Sequence, residues 1–144
     1  MKKDEKQQNN IIFLDFDGVI NIKGDNFQTH QSEEAIKYLN KLCLETGFKI
    51  VVCSSWREHM NYIDFLRNLG LDERIEIVGK TNNSNSGKEF EILNYVEEHD
   101  IDKYIVIDDA YLSSYMTPHH IQPASRLGFT ENKYLEALAK ISKL

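Results

Sequence analysis

The chain has 144 residues, 41% of them hydrophobic and 28% charged, with a formal net charge of −6. That length suits one domain built around one core. No apolar run nears the ~18 residues of a membrane span, and the opening MKKDEKQQNN lacks the apolar middle of a secretion signal. The acidic balance and scattered Lys and Arg exclude a broad basic track for nucleic acid, though not a small pocket for one phosphate.

Residues 1–10 read as a polar tail, and residues 11–144 as one domain. Ile11 to Phe16 is a continuous apolar run and reads as a buried strand. Val19 to Phe27 reads as a small hairpin turning at Gly24-Asp25, a flap over the end of that strand. Ser32 caps a helix with Glu33 and Glu34 in its first turn, Ala35, Ile36, Leu39 and Leu42 on its apolar face, and Gly47 as its stop. Phe48 to Cys53 reads as a second buried strand, residues 59 to 69 as a short helix, and Ile75 to Val78 as a short strand. A polar loop, NNSNSG, precedes a helix over Glu89 to His99. Tyr104 to Ile107 is another buried strand, His120 to Gln122 a further short one, and Thr130 caps a last helix through Lys143. Cys43 and Cys53 sit inside apolar patterns with no disulfide or zinc spacing, which fits buried thiols in a reducing cytoplasm.

Strands alternating with helices predict a doubly wound α/β domain. Continuous apolar strands predict a parallel sheet covered on both faces. Such sheets bind ligands beyond the carboxyl ends of their strands. The first strand ends in Asp15 and Asp17. The second carries Ser54, Ser55, Trp56 and Arg57, and the run IVIDD ends in Asp108 and Asp109. Lys88 opens the helix before that run. A parallel sheet gathers these groups at one rim, with four carboxylates among them.

Four carboxylates together require a cation, because each like-charge pair at ~4 Å costs about 4 kcal/mol at an effective dielectric near 20. Mg²⁺ suits an all-oxygen site that also receives a phosphate. An aspartate is ionised at neutral pH and can attack phosphorus without a base to activate it. On an extended chain, residues two apart share a face, so Asp15 as nucleophile and Asp17 as acid and base would work side by side.

Taken in order, DFDGV at 15–19, the strand ending VVCSS with Ser54, the helix-opening Lys88, and IVIDD with Asp108 and Asp109 resemble the four motifs of the haloacid dehalogenase (HAD) superfamily of phosphatases. SSWRE, GKEFEILNYVEEH, YIVIDD and RLGFTE resemble, more narrowly, small HAD domains of bacterial and phage proteins, some attached to RNA-repair enzymes. The resemblance implies a Rossmann-like, three-layer α/β/α sandwich with a mainly parallel sheet of about five strands and no large cap. It also implies Mg²⁺-dependent hydrolysis of a phosphate monoester through an aspartyl-phosphate on Asp15, with Asp17 as acid and base. Asp109 would be a direct metal ligand. Asp108 would be a second ligand or would orient Lys88, and the Asp17 backbone carbonyl would also reach the metal. Ser54 and Lys88 would hold the phosphate, with Ser55, Arg57 and Trp56 as candidate substrate contacts. Lys80 competes with Lys88 for the lysine role.

Other readings fit the sequence less well. A calcium loop fails because Val19 stands where its third oxygen belongs. Gly87-Lys88 lacks the remaining residues of a P-loop. Trp56 could stack on a base or could close and pack the pocket. A receiver domain would place its acidic pair first, whereas here the pair comes last. A non-catalytic or regulatory phosphate-binding module is the alternative to the enzyme. The expected substrate is a phosphorylated small molecule or nucleic-acid end, with no membrane partner and no extended nucleic-acid surface, in the cytoplasm.

Overall fold

The apolar runs become strands of one sheet because successive side chains point to opposite faces and both faces are covered. The computed structural model describes residues 9–23, 29–58 and 61–144, excepting the side chains of Lys23, Thr29 and Arg57. The five strands of the main sheet are β1 (Asn10–Leu14), β4 (Lys49–Val52), β5 (Ile77–Lys80), β6 (Lys103–Ile107) and β7 (His120–Ile121). They lie in the order β5-β4-β1-β6-β7, and every neighbouring pair is parallel. Among the described residues, four α-helices accompany the sheet: α1 (Glu33–Thr46), α2 (Tyr62–Leu69), α3 (Lys88–Glu98) and α4 (Glu131–Ser142). This is the expected Rossmann-like α/β architecture.

The core divides by strand parity. Ile12 and Leu14, with Ile50, Val52, Ile105 and Ile107, pack against Leu39 and Leu42 of α1, Leu66 of α2 and Ala137 of α4. Ile11 and Phe13, with Val51 and Val106, pack on the other face against Ile92 of α3. Residues 11 to 14 are at most 2% exposed, so the central strand is buried on both sides. Local signals set the helix ends. The Ser32 hydroxyl accepts the Ala35 N–H at 3.0 Å, and Gly47 closes α1 in the left-handed conformation. Asn61 caps α2 and Thr130 caps α4 by the same means.

A second, two-stranded sheet follows β1. Its strands, β2 (Asn21–Lys23) and β3 (Thr29–Gln31), are antiparallel; the hairpin expected over Val19 to Phe27 thus has its second strand beyond Phe27, and the turn expected at Gly24-Asp25 lies outside the described residues. The hairpin is anchored at its base, where Ser32 N–H donates to the Ile20 carbonyl at 2.8 Å and Phe129 N–H to that of Val19 at 3.0 Å.

Some boundaries differ from those the sequence suggests. Asn10 already belongs to β1, and β1 stops at Leu14 instead of Phe16. The Phe16 carbonyl accepts the N–H groups of Val19, Ile20 and Asn21, so the chain is already turning there. A short 3₁₀ turn, Ser55–Glu58, precedes α2, which begins at Tyr62. β5 lies two residues later than expected, because Arg67 donates to the carbonyls of Asp72 (2.6 Å) and Ile75 (2.7 Å) and holds that stretch in a turn. Among the described residues, no helix is long and apolar enough to cross a membrane.

Candidate active site

Register brings the site together. Leu14 of β1 lies beside Val52 of β4 and Ile107 of β6. The ladder runs one residue further, with Asp15 N–H donating to Ile107 carbonyl at 3.0 Å and Cys53 N–H to Leu14 carbonyl at 2.9 Å. Asp15, the Cys53-Ser54 pair and Asp108 therefore leave adjacent strands at one rim. Asp15, Asp108 and Asp109 each present a carboxylate oxygen within 4.8 Å of the others. Asp15 and Asp108 are buried, and Asp109 is partly exposed.

Lys88, the first residue of α3, reaches into this cluster. Its ammonium lies 2.7 Å from Asp108 Oδ2 and 3.4 Å from Asp15 Oδ1. Lys80 ends the edge strand β5 and instead faces Glu58 Oε2 at 3.6 Å. Both Asp108 oxygens are engaged, since Oδ1 accepts the Ala110 N–H at 2.9 Å. The backbone of the acidic pair is held as well. His120 Nε2 lies 2.9 Å from the Asp108 carbonyl oxygen, and the Gln122 amide donates to that of Asp109 at 3.2 Å. Gly18 is needed here for two reasons. Its φ is +78°, and a Cβ at this position would lie 2.0 Å from Asp109 Oδ2.

A family model described as the HAD domain in Swiss Army Knife RNA repair proteins matches residues 11–134. The chain belongs to this family. No curated protein matches it.

One expectation about this HAD domain is corrected by the structure. Four carboxylates do not converge; three do, and Asp17 stands apart. Because β1 ends at Leu14, the rule that places residues two apart on one face no longer applies at Asp17. Asp15 is 5% exposed, whereas Asp17 is exposed and held by other partners. Its Oδ2 accepts the Trp56 indole N–H at 3.1 Å, and its Oδ1 accepts the Asn21 amide at 3.4 Å. Trp56 in turn packs edge-to-face on Phe16 at 6.2 Å and against Phe65 at 5.4 Å. These contacts fit the pocket-packing reading of Trp56 better than a ring offered to a base.

Of the other candidates, Ser54 is buried at the end of β4 and its hydroxyl accepts the Trp56 backbone N–H at 3.1 Å. Ser55 is exposed at the start of the 3₁₀ turn. Arg57 lies in that turn, but its side chain is outside the described residues. Sequence reasoning missed Asn21, His120 and Gln122 as partners of the acidic residues, and Gln31 as the partner of Asn21. The one available signal was Asn21 itself, a polar residue within the apolar VINI run.

The electrostatics suit the cluster to a cation. Burial, together with the charge of Asp108 and then of Asp109, pushes the Asp15 carboxyl up to about 8 despite Lys88. Burial and Asp108 also raise the Asp109 carboxyl. Burial works against the Lys88 charge, yet Cys53, Asp15 and Asp108 hold its ammonium above the ordinary lysine range. One lysine thus does not neutralise the rim. Hard carboxylate oxygens at this spacing fit a cation such as Mg²⁺.

Proposed function

We propose that this HAD domain is a Mg²⁺-dependent phosphomonoesterase that works through an aspartyl-phosphate on Asp15. The observation carrying this reading is the Asp15-Asp108-Asp109 cluster with Lys88 across two of its carboxylates, at the carboxyl ends of central strands. Asp15, Asp109 and the Asp17 backbone carbonyl would hold the cation, and Asp108 mainly orients Lys88. When bound, the cation supplies positive charge that lets Asp15 stay ionised near a phosphate dianion.

The residues then divide the work. An Asp15 carboxylate oxygen attacks phosphorus as the bond to the ester oxygen breaks. Asp17 gives the departing oxygen its proton. Water then attacks the phosphorus, Asp17 takes a proton from it, and Asp15 is released as a carboxylate with inorganic phosphate as product. Lys88 and Ser54 grip the phosphoryl oxygens during both transfers, and Ser55 and Arg57 are candidate contacts to the rest of the substrate.

For the substrate we favour a phosphate at the end of a nucleic acid. The strands β2 and β3 are short, and among the described residues no large lid covers the rim, which leaves room for a macromolecular end. The family description, which concerns RNA repair proteins, points the same way. The net charge of −6 suits recognition of a terminal phosphate more than of a long backbone track.

The test is phosphate release from a 3′-phosphorylated oligonucleotide, from free sugar phosphates and from an aryl phosphate, with Mg²⁺ and with chelator. Metal-dependent release that vanishes in a folded Asp15→Asn variant is expected. Turnover by Asp15→Asn equal to that of the native chain would exclude Asp15 as nucleophile. A consistent preference for free sugar phosphates would exclude the nucleic-acid reading.

A further inference from the structure

Asp17 has no part in the carboxylate cluster, and its position must be set by something else. The hydrogen bonds around it supply the answer. Trp56 Nε1–H donates to Asp17 Oδ2 at 3.1 Å from the 3₁₀ turn after β4. Asn21 Nδ2 donates to Asp17 Oδ1 at 3.4 Å from the hairpin, and the Gln31 amide donates to Asn21 Oδ1 at 3.3 Å across that hairpin. Both carboxylate oxygens are thus met by neutral donors from two different elements.

The stronger of the two bonds comes from the more constrained partner. The indole has two torsions, and its ring is wedged against Phe16 and Phe65. Phe16 and Phe65 pack on each other at 5.1 Å. Phe16 is itself the residue between Asp15 and Asp17 and is fully buried. The Trp56 backbone is pinned as well, through its N–H to Ser54 Oγ at 3.1 Å. The N–H direction is therefore fixed by packing before any substrate arrives, which is the condition for a positioning group to be effective.

We infer that Trp56 is the positioning residue for Asp17, its indole N–H holding the carboxyl where the ester oxygen leaves and water enters, with Asn21 and Gln31 bracing it from the hairpin. This rests on the acid and base role given to Asp17 above. Trp56 itself touches no reacting atom. Its consequence is selective: an ester with a poor leaving group depends on the proton that Asp17 delivers, whereas para-nitrophenolate departs without one.

Two measurements test this. Trp56 is the sole tryptophan, so its indole N–H gives a single signal in a proton–nitrogen spectrum. In Asp17→Ala that signal is expected to move upfield and to exchange faster with water. An unmoved signal overturns the proposal without any activity being measured. In the second, kcat/KM is compared for para-nitrophenyl phosphate and for an alkyl phosphate. Trp56→Phe, which keeps an aromatic ring against Phe16 and Phe65, should lower the alkyl value by about tenfold or more and the aryl value by less than about threefold. Equal losses on both esters, or none on either, overturn the proposal. Asp17→Asn in the same comparison fixes the full size of the effect. Asp15→Asn, run beside it, addresses the nucleophile alone, so failure of that reading is distinguishable from failure of this one.

Discussion

Gly18 shows how narrowly the rim is built at the level of a single residue. It follows Asp17 directly, turns the chain with a φ of +78°, and leaves the space that Asp109 Oδ2 occupies. An alanine there meets two separate penalties. The left-handed backbone costs about 1–2 kcal/mol for a residue with a Cβ, and the Cβ would sit 2.0 Å from the Asp109 oxygen. Relief can come only from moving Asp109, because the Gly18 N–H is itself bonded to the Asn21 carbonyl at 2.7 Å. Gly18→Ala is therefore expected to weaken Mg²⁺ binding by roughly tenfold or more, since losing one well-placed oxygen ligand disrupts a site with few of them. Isothermal titration of the variant with Mg²⁺ checks this. Native affinity in Gly18→Ala would mean that Asp109 is not held against this glycine.

At the level of elements, the placement of Lys88 is informative because it opposes helix physics. A cation in the first turn of a helix faces the positive end of the helix dipole, and Lys88 opens α3 with Glu89 and Glu91 behind it. Its contacts with Asp108 and Asp15 account for its position; the helix does not. Lys88→Met should lower kcat/KM by roughly a hundredfold, in the range found when a preorganised charge is removed from a transition state. Lys80→Met, which loses only the exposed pair with Glu58, should stay within about threefold. Steady-state kinetics on one phosphate ester decides between them, and the opposite ranking would make Lys80 the phosphate-binding residue. The sequence left these two lysines open because both end or begin an element near the rim; only the strand order puts β5 at the edge. What it did carry were local signals. Apolar runs marked the strands, and Ser32, Gly47 and Thr130 marked helix ends that the structure reproduces. Asp15 and Asp108 could be brought together from sequence because each follows a central strand. Asp17 could not be placed, since its position depends on where β1 stops and on Trp56, a partner 39 residues away. The displaced start of β5 likewise depends on a tertiary contact, the Arg67 side chain folding back on the carbonyls of Asp72 and Ile75.

Across the whole molecule, the rim is an electrostatic cost that protonation or a bound cation would relieve. In the unfolded chain Asp15 loses its proton near the ordinary value of 3.8, whereas in the fold burial and Asp108 push it up to about 8. Between those limits the folded state binds more protons than the unfolded one, so the metal-free protein loses stability as pH rises through this window. Asp109, also raised by burial and by Asp108, adds to the loss with the same sign. A divalent cation reverses the trend, because it binds the ionised carboxylates and is opposed by the proton; its stabilisation must grow as pH rises. Thermal unfolding with chelator is therefore expected to show a lower Tm at about pH 8 than at about pH 5, and Mg²⁺ to raise Tm more at the higher pH. Asp15→Asn removes the more strongly shifted of the two groups, so it should make the chelator series shallower and stabilise the metal-free protein near pH 8. A Mg²⁺ effect of equal size at both pH values would place the cation away from these carboxylates. A steep chelator series that persists in Asp15→Asn would assign the pH dependence to other groups. The same substitution that is expected to end turnover should thus strengthen the fold, which separates the cost of holding these charges from the use made of them.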